Sequence, residues 1–90
     1  MYTILVSKTF LKQFTDLENR LQEKIKFTLK NLENDPFKSH SGADIKKLSH
    51  TRPTKYRLRV GDYRIIYIVE NKTVKVLEVF KRGKGYKNFQ

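Results

Sequence analysis

The chain has 90 residues, no cysteine, and 20 lysine and arginine against nine aspartate and glutamate side chains, for a formal net charge of +11. This length predicts one domain over residues 1–90, since folding at this size buries only roughly 60 to 65% of the unfolded chain's surface. The lack of cysteine excludes disulfides, thiolate zinc sites and thiol nucleophiles. The N-terminus has no signal-peptide pattern and no apolar run is long enough to cross a bilayer, so we expect a cytoplasmic protein without membrane contact.

The positive charge is concentrated in the C-terminal half. Residues 1–40 carry seven basic and five acidic side chains, whereas residues 41–90 carry thirteen basic and four acidic ones. A field of this kind favours a polyanion such as RNA, DNA or a ribosome, because neutralising phosphates releases counterions. The alternative is a basic surface that only keeps the protein in solution.

The N-terminal third begins with a strand and a helix. Residues 2–6 combine one aromatic with β-branched residues, which is typical of a short strand. Ser7 or Thr9 can then cap a helix. The apolar positions of this helix, spaced as on one buried face, are Phe10, Leu11, Phe14 and Leu17.

A second helix follows directly. Asn19, with Gln22 three residues later, resembles a capping box at its start, and Asp35-Pro36 predicts its end. Its apolar side comprises Leu21, Ile25, Thr28, Leu29 and Leu32. The two amphipathic helices should form a hairpin.

The C-terminal half predicts an antiparallel sheet. The candidate strands are residues 43–48, 56–60, 63–70 and 73–80. The first is a weak signal, whereas the other three are rich in β-branched and aromatic residues and are separated by the turn signals Gly61-Asp62 and Asn71-Lys72. We therefore expect an α+β fold, in which the N-terminal strand and the helix hairpin accompany a mainly antiparallel, twisted sheet of four to five strands.

Two-residue turns would set the strand register. The expected pairs are Val60 with Tyr63, Arg59 with Arg64, Leu58 with Ile65, Arg57 with Ile66, Val69 with Val74 and Tyr67 with Val76. Because side chains alternate between faces, one face becomes apolar and should lie under the helices. Its members are Tyr56, Leu58, Val60, Tyr63, Ile65, Tyr67, Val69, Val74, Val76 and Phe80, and Glu78 alone interrupts it.

The other face, which we term the open face, would collect basic side chains. Its expected members are Arg57, Arg59, Arg64, Ile66, Ile68, Lys75, Leu77, Val79 and Lys81. Like charges placed opposite each other, as Arg59 and Arg64 would be, destabilise a sheet. Guanidinium groups bind phosphate in a two-pronged manner, so an anionic ligand would explain the arrangement. The alternative is that the arginines are solvated, or paired with Asp44 or Asp62.

The C-terminal segment adds further candidates for nucleic-acid contact. Glycines at 83 and 85 allow the backbone to approach a ligand, and Tyr86 and Phe89 could stack on unpaired bases. A frayed basic tail is the alternative. His40 and His50 lack ligand spacing and are interpreted as surface residues, so we expect no metal or cofactor, and any catalysis would use Arg, Lys and Tyr.

Two segments resemble the RelE/ParE superfamily of toxins from type II toxin-antitoxin systems. The first is Tyr56-Arg57-Leu58-Arg59-Val60-Gly61-Asp62-Tyr63-Arg64-Ile65-Ile66-Tyr67, and the second is Arg82-Gly83-Lys84-Gly85-Tyr86. The second is similar to archaeal and related bacterial RelE members. The order of a strand, two helices and an antiparallel sheet also agrees with this family over essentially the whole chain.

The resemblance implies a toxin that cuts mRNA in the ribosomal A site and so inhibits translation. The implied reaction is metal-independent: the ribose 2′-hydroxyl attacks the adjacent phosphorus and leaves a 5′-hydroxyl end. The implied catalytic residues are Arg57, Arg59, Arg64, Arg82 and Tyr86. Dense positive charge would stabilise the transition state and favour the phenolate of Tyr86 as a general base.

The RNA-binding residues expected around that centre are Lys55, Lys75, Lys81, Lys84, Lys87 and Phe89. Where several relatives carry lysine this chain has Arg57 and Arg59, and arginine keeps its proton, so acid or base work there is doubtful. The implied partner is a cognate antitoxin with an acidic, amphipathic segment that covers the basic face. Two alternatives stay open: a ParE-like toxin that inhibits DNA gyrase, and a non-catalytic or degenerate RNA-binding module.

Overall fold

The computed structural model describes residues 1–83, in which two helices and five strands follow one another in the predicted order. The elements are β1 (Thr3–Val6), α1 (Lys8–Thr15), α2 (Asn19–Lys30), a 3-10 turn (Asn31–Glu33), β2 (Asp44–Lys47), β3 (Tyr56–Val60), β4 (Tyr63–Glu70) and β5 (Thr73–Lys81). The strands form one sheet in the order β1-β5-β4-β3-β2. Strand β1 pairs with β5 in parallel and the other neighbours are antiparallel, which confirms the predicted α+β class.

Helix α1 begins at a cap formed by Ser7. The Ser7 hydroxyl accepts a hydrogen bond from the Phe10 N–H at 2.9 Å and donates one to the Leu77 carbonyl at 2.7 Å, so it also attaches the helix to β5. Phe10 is buried, whereas Leu11 is 47% exposed. The prediction that Leu11 lies on the buried face is wrong, because that side chain points about 100° around the helix axis from Phe10.

The connection between the helices depends on Gln22. Its side-chain N–H groups donate to the carbonyl of Phe14 in α1 at 2.9 Å and to that of Leu17 in the connection at 3.0 Å. The predicted capping box is wrong: the cap residue is Glu18, which makes no side-chain cap hydrogen bond. Gln22 therefore fastens the two helices together instead of capping the second.

The predicted apolar side of α2 is confirmed. Ile25, Leu29 and Leu32 are buried and Leu21 packs against the same core. The helix ends at Lys30, and the 3-10 turn continues toward Pro36. Neither helix within residues 1–83 is long and apolar enough to span a bilayer.

The predicted register of the sheet is confirmed on both sides of β4. All six expected pairs occur, including Arg59 with Arg64. Between Ile66 and Tyr67, however, the pairing with β5 shifts, because Ile66 lies opposite Glu78 and Tyr67 lies opposite Val76. Leu77 is the extra residue of this β-bulge, which reverses the alternation of side chains beyond it.

Because of the bulge, three side chains at the end of β5 lie on the face opposite to the predicted one. Val79 was expected on the open face but belongs to the helix-side core, and Phe80 was expected under the helices but packs on Leu48 and Ile66 on the open face. Lys81 lies opposite Tyr63 and so leaves the open face as well. The interruption of the apolar pattern at position 78 is the sequence signal of this bulge.

The helix-side core contains one hydrogen-bonded tyrosine. Tyr67 is fully buried, its hydroxyl donates to the carbonyl of the buried Pro36 at 2.7 Å, and its ring stacks on Tyr56 with 5.5 Å between centroids. Burial raises the pKa of Tyr67, with a smaller contribution from the neighbouring Tyr56. The folded state therefore holds this phenol in its neutral form.

We predict that Tyr67→Phe lowers the free energy of unfolding by about 1–3 kcal/mol, because the buried Pro36 carbonyl loses its donor. The loss should be measured by urea denaturation at neutral pH. The pKa of tyrosine in an unfolded chain is about 10. Since the pKa of Tyr67 is higher in the folded state, the stabilisation by its neutral phenol is complete below the unfolded pKa and is lost as the pH rises from there through the folded pKa. The gap between parent and variant should therefore narrow at alkaline pH.

Tyr56→Phe is the matched control, since it removes a hydroxyl from the adjacent ring and that hydroxyl has no hydrogen-bond partner among residues 1–83. Its unfolding free energy should stay within about 0.5 kcal/mol of the parent. An equal loss in both variants would contradict the role assigned to the Tyr67 hydrogen bond.

Candidate nucleic-acid interface

Three of the predicted arginines share the open face. Arg57 lies opposite Ile66 and Arg59 opposite Arg64 in the β3–β4 ladder, and paired residues of a ladder project to the same side of the sheet. Gly61, in the connecting loop, has a φ of 58°, a backbone conformation that side chains disfavour. The turn chemistry of this loop thus determines which side chains meet across the strands.

Arg64 is the most deeply placed of the three. It is only 6% exposed, and its Nη1 donates to the carbonyls of Gly61 at 2.9 Å and Tyr63 at 3.0 Å. A buried guanidinium needs such acceptors to compensate for lost hydration. The side chain is therefore held against the loop and presents a positive charge in a defined position.

Arg57 is held by a carboxylate from the neighbouring strand. Its Nη2 lies 3.2 Å from Oδ1 of Asp44 on β2, and the two side chains are 15% and 55% exposed respectively. Its Nε is buried and bonds to no atom of residues 1–83. For Arg57 the alternative of a pairing with Asp44 is therefore the one observed.

Arg59 and Arg82 are the exposed arginines of the group. The Arg82 N–H donates to the Asp62 carbonyl at 2.7 Å, which extends the pairing of β5 into the β3–β4 loop. Arg82 therefore lies at the same end of the sheet as Arg59 and Arg64. We term this group the basic end, and it consists of Arg57, Arg59, Arg64 and Arg82.

The lysines expected around this centre are not gathered with it. Lys75 pairs with Glu70 at 2.8 Å and lies six residues before Lys81, so about 20 Å of strand separates it from the end of β5. Lys55 precedes β3 and is a strand's length from Gly61. Lys81 is exposed at the correct end but on the other face. The remaining expected residues, Lys84, Tyr86, Lys87 and Phe89, lie outside the described residues.

An apolar patch on the open face was missed by sequence reasoning. Leu48, Ile66 and Phe80 are buried together, and Leu77 packs against them. The bulge supplies Phe80, while Leu48 reaches the sheet through a hydrogen bond between its N–H and the Lys55 carbonyl. The open face is therefore an apolar patch bordered by cations, rather than a bare basic surface.

Metal-ligating groups do not gather in the described part of the chain. Residues 1–83 contain no cluster of three or more His, Asp or Glu side chains. His40 and His50 are exposed, as expected, and a ring nitrogen of His40 lies 3.3 Å from the Asp35 carbonyl. The chemistry available at the basic end is the binding and electrostatic stabilisation of anions by guanidinium groups.

Known proteins are similar to this chain in sequence and in fold. A family described as "ParE toxin of type II toxin-antitoxin system, parDE" matches residues 4–86. Toxin RelE3 of Methanocaldococcus jannaschii is 30% identical over 86 residues, which cover 96% of this chain and 97% of that toxin.

Two solved archaeal complexes contain similar chains. The RelE-RelB complex from Pyrococcus horikoshii OT3 matches with a TM-score of 0.78 and 30% identity over 92% of this chain and 97% of that one. The RelB-RelE antitoxin-toxin complex from Methanococcus jannaschii matches with a TM-score of 0.76 and 29% identity over 96% and 99%. The chain therefore belongs to the RelE/ParE superfamily, as a RelE-like toxin of a type II toxin-antitoxin system.

Proposed function

We propose that this toxin is a ribosome-dependent endoribonuclease that cleaves mRNA in the ribosomal A site and thereby inhibits translation. The observation that carries the proposal is the basic end, where strand register and the Arg82–Asp62 hydrogen bond bring Arg59, Arg64 and Arg82 to one end of the sheet, with Arg57 two residues farther along β3. The similarity to RelE toxins supports the same activity. On this proposal residues 1–90 act as one domain in the cytoplasm.

The arginines divide the electrostatic work according to their exposure. Arg59 and Arg82 are exposed and can contact phosphate oxygens directly, while the buried Arg64 adds a fixed positive charge behind them. When the 2′-hydroxyl attacks phosphorus, negative charge accumulates on the phosphate oxygens. Preorganised cations stabilise that charge without needing to reorganise during the reaction.

Proton transfer requires a different group. Arginine remains protonated throughout the accessible pH range, so the basic end supplies no general base. We assign that role to Tyr86, whose phenolate would accept the 2′-hydroxyl proton. Lys84, Lys87 and Phe89 would then hold flanking nucleotides by charge and stacking. No step of the proposed reaction uses a metal.

The proposed partner is a cognate antitoxin, as RelB is for the RelE proteins in the solved complexes. The open face offers apolar contact at the partly buried Leu77 and carries the cations of the basic end. An amphipathic segment with apolar anchors and acidic side chains complements both features. Such a segment would exclude RNA by covering the arginines.

Gyrase inhibition is the second candidate function, because the matching family is described as ParE toxins. Induction of the protein in a tolerant host, followed by mapping of mRNA 5′ ends and analysis of plasmid supercoiling, separates the two. If the protein is an endoribonuclease, new mRNA 5′ ends should appear within translated codons and plasmid supercoiling should stay normal. Loss of supercoiling without new 5′ ends would support the gyrase inhibitor, and neither effect would indicate a non-catalytic module.

We predict that Arg59→Ala and Arg82→Ala each abolish growth inhibition and the new mRNA 5′ ends, while the free energy of unfolding changes by less than about 0.5 kcal/mol. Both side chains are exposed, so their loss removes charge without opening the core. Arg64→Ala should also lose activity but should cost about 1–3 kcal/mol, since it removes a buried hydrogen-bonded guanidinium.

Arg52→Ala is the control for this series, because it removes the same charge from the exposed loop between β2 and β3, at the end of β3 away from Gly61. It should remain as toxic as the parent. Full toxicity in the Arg59 and Arg82 variants would refute the assignment of the basic end.

A separate prediction concerns Asp44, which competes with phosphate for Arg57. Asp44→Asn should raise the affinity for a 2′-O-methyl oligoribonucleotide about threefold at low salt and steepen the salt dependence by about 0.7 in log–log slope, because one more guanidinium becomes available to a single strand. Asp16→Asn makes the same charge change at the exposed end of α1. Equal affinities in the two variants would show that Asp44 does not restrain Arg57.

A further inference from the structure

A groove lies between α2 and the β2–β3 edge of the sheet. It has a volume of about 250 Å³, and its lining includes Lys24, Thr28, Ser41, Gly42, Asp44 and Arg59. Arg59 belongs to the basic end, so the groove continues that surface from the open face toward the helices. Ligand pockets for whole small molecules span about 300–1,000 Å³. This smaller groove is better suited to one unit of an extended chain.

Lys24 brings a cation to the groove from the helix side. A Cβ built on Gly61 would lie 3.6 Å from the Lys24 Nζ, so the ammonium group approaches the tip of the β3–β4 hairpin. Within residues 1–83, no carboxylate pairs with this ammonium, whereas Lys26, two residues along the same helix, pairs with Glu23 at 3.2 Å. The charge of Lys24 is therefore available to a ligand.

The carboxylate in the groove does not cancel this charge. Asp44 lines the groove, but its Oδ1 is paired with Arg57. Lys24 then remains the cation on the helix side of the groove, where Arg59 joins it to the basic end. The Thr28 hydroxyl donates its proton to the Lys24 carbonyl at 2.8 Å, so it can only accept a further hydrogen bond in that geometry. Lys24 and Ser41 therefore supply the donors for an anion.

We propose that this groove binds a second backbone phosphate of the RNA whose scissile phosphate lies at the basic end. Lys24 from α2 contacts that phosphate, while Arg59 stays on the scissile phosphate, and the strand passes the hairpin tip at Gly61 toward the helix side of the sheet. Lys24 is thus an RNA-binding residue in addition to the arginines of the strands. The inference rests on the proposed function, because it extends the path of the same RNA.

RNA is favoured over an acidic protein segment by continuity and shape. The groove shares Arg59 with the basic end, so a single polyanion can occupy both, and its repeating phosphates match cations placed at intervals. The described lining of the groove is mainly polar, whereas an amphipathic protein segment would gain its binding energy from apolar contacts.

The test measures binding of the full chain to a 2′-O-methyl oligoribonucleotide, which cannot undergo 2′-hydroxyl attack, between about 50 and 200 mM salt. We expect Lys24→Gln to weaken binding about three- to tenfold at the lower salt and to reduce the log–log salt slope by about 0.7, the value for one phosphate contact on a single strand. Lys24→Arg should retain the parent's affinity. Lys30→Gln, the same charge change farther along α2, should have no effect.

Arg59→Ala distinguishes the failure of this inference from the failure of the proposed function. If Arg59→Ala weakens RNA binding while Lys24→Gln behaves like Lys30→Gln, the second phosphate site is overturned and the basic end stands. If neither Arg59→Ala nor Lys24→Gln weakens binding, both proposals fall. If Lys24→Gln spares RNA but weakens binding of a polyglutamate peptide, the groove serves an acidic protein and the RNA proposal is overturned.

Discussion

The pairing of β3 with β4 across the Gly61-Asp62 loop is the constraint on which the site depends. It places Arg59 directly opposite Arg64, an arrangement of like charges that costs a sheet stability. Asp44 lies opposite Arg59 on the other side, but its carboxylate is drawn to Arg57. An anion bound at the basic end, such as the proposed phosphodiester, would offset this repulsion.

Exposure separates a fixed part of this surface from an adjustable part. Arg64 is buried and hydrogen-bonded to the loop carbonyls, so little side-chain entropy remains to be lost when an anion arrives. Arg59 and Arg82 are exposed and can adapt to the phosphate oxygens. The apolar patch around Phe80 stabilises the sheet directly beside Arg64, since Phe80 is its partner in the β4–β5 ladder. Packing and charge on the open face are therefore linked.

Local sequence patterns predicted the structural features that short-range interactions determine. The Gly61-Asp62 turn and strict alternation in β3 were sufficient to place Arg57, Arg59 and Arg64 on one face, as observed. The break in the apolar pattern at Glu78 marks this region but does not show that Leu77 is the bulged residue, which depends on the fit between β4 and β5. The predicted faces of Val79, Phe80 and Lys81 were therefore wrong. The contacts of Gln22 with α1, the Arg57–Asp44 pair and the approach of Lys24 to Gly61 all join distant segments, so no local pattern encodes them.

The most direct test of the central claim is NMR detection of the arginine side-chain N–H groups while a 2′-O-methyl oligoribonucleotide is added. The account predicts that the guanidinium signals of Arg59 and Arg82 shift together and saturate, while that of Arg52, in the loop between β2 and β3, stays in place. Guanidinium signals of the basic end that remain unchanged while RNA binds elsewhere would contradict it.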